Sequence, residues 1–125
     1  MIDIAREQSP SETWLADLLR RTADAGFQAL GLYLEHRYAY PSAPWAAAPG
    51  CVTPDMIARL RPIARSAGVR MIPFLNTLGH MEGFIRTRGG EWLAEGRALY
   101  SAQICPSRQD CVRFARGLVS DALDA

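Results

Sequence analysis

The sequence predicts a parallel α/β fold, and three observations carry that prediction. Helix-opening signals recur along the chain, at Ser9-Pro10-Ser11-Glu12, at Thr53-Pro54-Asp55 and at Ser107 with Asp110 three residues on. Between them lie short, nearly continuous apolar segments, as expected of parallel strands covered on both faces. The junctions also repeat: "DAGFQALGLYL" and "SAGVRMIPFL" each run from a helix end through Ala-Gly into a strand. Together these give the order β-α-β-α-β, a long loop and a final helix, with right-handed crossovers expected.

Each element has its own signature. Ile2 to Ile4 forms a short first strand. The first helix follows, with Ser9 as its cap, Pro10 in the first helical position and Glu12 reaching back. Trp14, Leu15, Leu18 and Leu19 supply its apolar stripe and Gly26 ends it. Phe27 to Leu34 is the second strand. The second helix opens at Thr53-Pro54-Asp55, buries Met56, Ile57, Leu60, Ile63 and Ala64, and closes at Gly68. Pro62 lies inside it, where a kink or an unpaired carbonyl is expected. Val69 to Leu75 is the third strand. Pro73 there would cost a ladder bond in a central position, so a bulge or strand end is expected beside it. Ser107 and Asp110 open the last helix, whose face carries Val112, Ala115, Leu118, Val119 and Ala122. Two segments are too long to be simple connectors: 35–52, rich in proline and aromatics, and the stretch from Asn76 to about Pro106, where short helical pieces are expected around 81–86 and 91–95.

Composition bounds the function. The chain has 125 residues, 49% hydrophobic and 22% charged, with a net charge of +1. That suits one domain with a real core, and the charge points neither to nucleic acid nor to an anionic membrane. No apolar run approaches the ~20 residues of a membrane-spanning helix. "MIDIAREQSP" lacks the apolar region of a secretory signal, so a cytoplasmic location is expected. Cys51, Cys105 and Cys111 show no C-x-x-C spacing and read as free thiols in a reducing compartment. No phosphate-binding glycine loop is present, and no cofactor is expected.

Polar chemistry gathers where the strands end. The first runs into Asp3-Ile4-Ala5-Arg6, the second into Glu35-His36-Arg37, and the third into Asn76-Thr77-Leu78-Gly79-His80. Both histidines lie just beyond strand carboxyl ends, the side on which parallel α/β folds build their active sites. Arg6, Glu35, His36, Asn76 and His80 are therefore candidate site residues. Tyr38, Tyr40 and Trp45 could stack on sugar rings or pack their loop onto the fold, packing being slightly favoured. Glu35, His36, His80 and Glu82 match no standard metal-ligand spacing, so no metal is expected.

These same residues carry a family resemblance. "IDIAR" resembles the first barrel strand of glycoside hydrolase family 20, the β-N-acetylhexosaminidases. "GLYLEHRYAYP" resembles the second strand and loop of a divergent branch. "AGVRMIPFLNTLGHMEGF" is similar to the third strand, which ends in Gly-His, and "ICPSRQD" to the segment introducing the next helix. The resemblance implies a TIM (β/α)8 barrel of which residues 1–125 are about the first three βα units. It implies removal of terminal N-acetylhexosamine by a retaining mechanism in which the substrate's own 2-acetamido oxygen attacks the anomeric carbon. Arg6 would bind sugar hydroxyls, with Asn76, Tyr38 and Trp45 as further substrate contacts. His80 would support the catalytic acid through a hydrogen-bonded relay. Glu35 or His36 stands where better-known members have an aspartate, and the sequence leaves that choice open.

The family's acid and acetamide-orienting group are an Asp-Glu pair after the fourth strand. This chain contains no adjacent Asp-Glu, and a complete barrel takes ~250 residues. The expectation is an N-terminal portion of a single catalytic domain, inactive by itself. The remaining barrel, or self-association, would complete its sheet. The alternative is a small non-catalytic α/β module that binds sugar or a protein partner and self-associates.

Overall fold

The computed structural model describes residues 1–5 and 8–125. The chain is a small α/β domain. Among the described residues, three strands form one parallel sheet in the order β1 (Ile2–Asp3), β2 (Ala29–Tyr33), β3 (Arg70–Phe74). Four α-helices accompany it: α1 (Glu12–Asp24), α2 (Pro54–Ser66), α3 (Glu82–Ile85) and α4 (Gln109–Asp124). The register pairs Ile2 with Leu32 and Asp3 with Tyr33, then Ala29 with Arg70 through Tyr33 with Phe74. The expected helical pieces of the second long loop are present as α3 and a 3-10 turn at Glu91–Leu93.

Only α2 begins where the sequence suggests; α1 starts at Glu12 rather than Pro10, and α4 at Gln109 without the expected cap. Ser11, not Ser9, caps α1: its hydroxyl accepts from the Trp14 N–H at 3.1 Å. Ser9 lies before the helix and receives a hydrogen bond from Arg37 instead. Thr53 caps α2 as expected, accepting from the Met56 N–H, and α2 runs unbroken through Pro62. At α4 the expected Ser107–Asp110 box is absent. Asp110 instead accepts from the Arg108 guanidinium at 2.6 Å and from the Cys111 N–H at 2.9 Å. A stronger charge-assisted partner two residues away takes the carboxylate from its capping role.

The two faces of the sheet differ. Leu30, Leu32 and Leu34 of the central strand region are buried on one face, and Leu32 and Leu34 share a groove wall with Ile57 and Ala64 of α2 and Ala122 of α4. That is the helix-covered side, and α1 lies beside α2, its Leu15 and Leu19 fully buried. The other face carries Gly31 and Tyr33 of β2 with Ile72 and Phe74 of β3, since these are register partners. Here Ile72 and Phe74 are 37% and 44% exposed. Gly31 is a glycine by close approach: a Cβ would lie 2.7 Å from the Phe74 ring.

Of the bulge or strand end expected beside Pro73, the structure has the strand end: β3 stops at Phe74, with no bulge. Arg70 N–H donates to the Gln28 carbonyl and the Phe74 carbonyl accepts from Leu34 N–H, so residues 70, 72 and 74 turn their backbone groups toward β2. Pro73, of opposite parity, turns its nitrogen to the free edge, and no β2–β3 bond is lost. A strand paired at that edge would find one donor fewer.

The core continues into the 35–52 segment and the second long loop. Tyr38, Tyr40, Ala43, Ala46, Val52, Met81, Phe84, Ile85, Leu93 and Ile104 belong to one buried cluster with the sheet and helices. Cys51, Cys105 and Cys111 are free thiols. No helix among the described residues is long and apolar enough to cross a membrane.

Candidate functional site

The carboxyl end of β2 turns at once into a 3-10 turn, Glu35–Arg37, and the chain is strained at its start. Glu35 has φ +44° although it is not a glycine. Left-handed backbone at such a residue costs roughly 1–3 kcal/mol and persists only where the surroundings hold it. They do so here. The Glu35 side chain is 2% exposed, and its Oε1 accepts the Gly83 N–H at 3.1 Å. Arg37, 4% exposed, donates from Nε to the Gln8 carbonyl at 2.9 Å and from Nη2 to Ser9 Oγ and the Pro49 carbonyl. Between these anchors His36 packs its ring edge-on to Phe84, 6.4 Å between centroids.

A cleft of about 430 Å³ opens at this end of the sheet, with Ala5, Glu35, His36, Glu82, Arg86 and Thr87 along its walls. The ends of β1 and β2 and the start of α3 thus meet there. It combines carboxylates, an imidazole, a guanidinium and a hydroxyl, a set suited to hydrogen-bonding a polyhydroxylated molecule and to moving a proton.

The end of β3 approaches the cleft from outside. His80 also has positive φ, +53°, but its side chain is 64% exposed. Its Nδ1 lies 3.9 Å from Glu82 Oε1, beyond hydrogen-bond distance, so Glu82 is its link to the cleft. Asn76 Nδ2 donates to the Tyr33 hydroxyl, on the opposite, open face of the sheet. The structure therefore brings Glu35 and His36 together, places His80 at the rim, and puts Asn76 at the mouth of the open face. Arg6 lies outside the described residues; Ala5 before it lines the cleft.

The two aromatic candidates for sugar stacking are placed otherwise. Tyr38 is buried and meets Tyr40 edge to face at 4.9 Å. Trp45 stacks on Phe114 at 5.9 Å, with its ring against Gly90, where a Cβ would lie 2.8 Å from it. Both rings are packing elements, because the 35–52 segment folds inward onto α3 and α4. A hydroxyl–carboxylate clasp holds it there: Asp121 accepts from the Ser42 N–H at 2.8 Å and from its Oγ at 2.6 Å. Among the described residues no group of three or more His, Cys, Asp or Glu is arranged to hold a metal ion.

Sequence reasoning does not reach Gly83, Arg86 and Thr87 as parts of this end of the fold; it places Arg37 there only as a strand-end residue, and Glu82 only in a metal-ligand set that it sets aside. One signal was available for Arg37. Three consecutive charged or titratable residues directly after a buried strand cannot all face water. The α3 residues gave none, because their approach to Glu35 spans the whole of α2 and β3. Comparison with protein-family models gives no match, and comparison with curated proteins finds no relative.

Proposed function

We propose that this chain is the N-terminal part of a TIM-barrel glycosidase similar to glycoside hydrolase family 20, acting on terminal N-acetylhexosamine. One observation carries the reading furthest. The parallel sheet has helices on one face, while the other presents apolar Ile72 and Phe74 to solvent. In a barrel that face is the interior, filled by side chains of the remaining strands. The cleft lies at the carboxyl ends of the strands, where a barrel enzyme binds its substrate.

On this reading the substrate's acetamide oxygen attacks the anomeric carbon, and an Asp-Glu pair in the continuing barrel orients the acetamide and protonates the leaving oxygen. The present residues bind and tune. Arg6 clamps sugar hydroxyls, Asn76 holds its place through Tyr33, and His80, with Glu35 or His36, supplies the relay behind the acid.

The test is a reading frame that continues past Ala125 with a fourth strand bearing Asp-Glu. Its product should cleave aryl N-acetylhexosaminides, and the 125-residue chain alone should not. A longer enzyme without that activity, or turnover by the short chain alone, refutes the proposal. The exposed Ile72 and Phe74 equally suit the second reading, a module that self-associates. A frame ending at Ala125 with a dimer in sedimentation would establish that one instead.

A further inference from the structure

Gly83 has no conformational reason to be a glycine. It lies in α3, and its φ is outside the left-handed region that Gly26, Gly50, Gly68, Gly89 and Gly96 occupy. Inside a helix, glycine is less favourable than alanine by ~1 kcal/mol. What it provides is room. A Cβ at this position would lie 2.0 Å from His36 Nδ1, 2.6 Å from Cγ and 2.7 Å from Cε1. The imidazole rests on the bare backbone of α3.

That backbone cannot retreat. The Gly83 N–H donates to Glu35 Oε1 at 3.1 Å, and the Gly83 carbonyl accepts from Thr87 Oγ1 at 2.7 Å. Both partners line the same cleft as His36. Glu35, adjacent to His36 in sequence, is itself held in left-handed backbone. Any side chain at 83 must therefore displace the ring, because the peptide is fixed from two sides. His80 has no such seat; its ring is largely in solvent and Glu82 is 3.9 Å away.

We infer that Gly83 is a positioning residue that seats the His36 imidazole in the cleft, and that His36 rather than His80 is the histidine this cleft presents to a ligand. That the ligand is a sugar rests on the glycosidase reading above; the seat does not. In that enzyme His36 would take the relay place that the family resemblance gives to His80.

A double-mutant cycle on the 125-residue chain tests the seat. Gly83→Ala should lower Tm by about 4 °C or more, and should shift the ring-proton resonances of His36 while leaving those of His80 in place. His80→Ala assigns the two sets of signals. In a His36→Ala background the same Gly83→Ala change should leave Tm unchanged or raise it, since helix propensity then acts alone. If Gly83→Ala by itself does not fold, recovery of folding in the double variant reports the same coupling. Equal losses in both backgrounds, or a double variant that also fails to fold, would overturn the seat. The cycle needs no substrate. Absence of glycosidase activity in the longer enzyme would therefore refute the function and leave this result standing.

Discussion

The carboxyl ends of β2 and β3 look alike in sequence and differ in the folded chain. Each runs from apolar residues into a polar cluster with a histidine, and each contains a non-glycine residue with positive φ, Glu35 at +44° and His80 at +53°. At β2 the strained residue is buried and its carboxylate holds the Gly83 N–H. At β3 the strained residue points its ring to solvent. The lesson concerns what makes a strand end a site. Polar residues in the right place are common to both, and the backbone of the second is also tied, by a bond from the Ile104 N–H to the Leu78 carbonyl. Only at the first does the strained residue itself lie buried with its own side chain hydrogen-bonded, which orders that side chain before a ligand arrives. The β3 end would need further contacts, from a substrate or from the rest of a barrel, to reach the same order.

The largest expected effect tests that anchoring. Arg37→Ala removes a guanidinium buried to 4% exposure together with its bonds to Gln8, Ser9 and Pro49, and leaves a gap in its place. Losses of this kind combine broken hydrogen bonds with a cavity, so a destabilisation of about 3 kcal/mol is expected. Arg88, exposed after the short helix α3, serves as the control, and Arg88→Ala should stay within ~0.5 kcal/mol. Urea midpoints at constant m-value decide it. Equal, small losses would mean that the β2 end is no better anchored than the surface.

How far this comparison could be read in advance depends on its range along the chain. The parallel order, the three strands and the start of α2 follow from local patterns, because caps, apolar stripes and helix-ending glycines act within a few residues. Glu35, His36 and His80 were legible as strand-end residues for the same reason. Ser9 was assigned to a cap because Ser9 and Ser11 both satisfy the local rule. What separates them is Arg37, far along the chain, which takes Ser9 for itself. The same holds for Tyr38 and Trp45. An aromatic ring reads alike whether it will stack on a sugar or on Phe114, and the inward fold of the 35–52 segment depends on the Ser42–Asp121 clasp between distant residues. For Pro73 the sequence suggests a bulge or a strand end, and β3 does end one residue later at Phe74; that no bulge is needed depends on the parity of its backbone relative to the free edge, which is not visible until the pairing is known.

A pair of glycine substitutions sharpens the contrast, with effects of about 1–2 kcal/mol and of differing sign. Glycine relieves left-handed strain at either position. Glu35→Gly should nevertheless destabilise the fold by about 1–2 kcal/mol, because a buried side chain is lost and the partly buried Gly83 N–H loses its acceptor. His80→Gly removes an exposed ring and gains only the relief, offset in part by the freer unfolded chain. Its stability should be unchanged within ~0.5 kcal/mol or slightly raised. Thermal unfolding of both variants gives the answer, and movement in the same direction by the same amount would erase the distinction drawn between the two strand ends.

The smallest effect concerns the two tyrosines that follow the β2 end. Tyr40 is buried, packs 5.8 Å from Phe84, and has a hydroxyl with no hydrogen-bond partner among the described residues; the hydroxyl of Tyr38 is in the same position. An unmet buried hydroxyl is a cost, so Tyr40→Phe should leave stability at pH 7 unchanged or raise it by up to ~1 kcal/mol. Tyr100→Phe, at a ring 77% exposed, should do nothing there. The pH dependence gives an independent reading of the same burial. Burial, reinforced by the neighbouring Asp121, pushes the Tyr38 phenol up to about 12, and burial pushes Tyr40 well above the ordinary value of 10.0. The unfolded chain therefore releases these protons first as pH rises through 10. Between pH 10 and 12 the folded state binds more protons than the unfolded one, and stability falls with rising pH. Below pH 10 both states are protonated and these groups contribute no slope. Tyr40→Phe removes one of the two groups, so its urea midpoint should decline less steeply above pH 10 than that of the parent chain. A parent midpoint flat to pH 11, or a Tyr40→Phe curve parallel to the parent's, would show that the segment after β2 lets water reach its tyrosines. The buried strand end would then be as open as the one at β3.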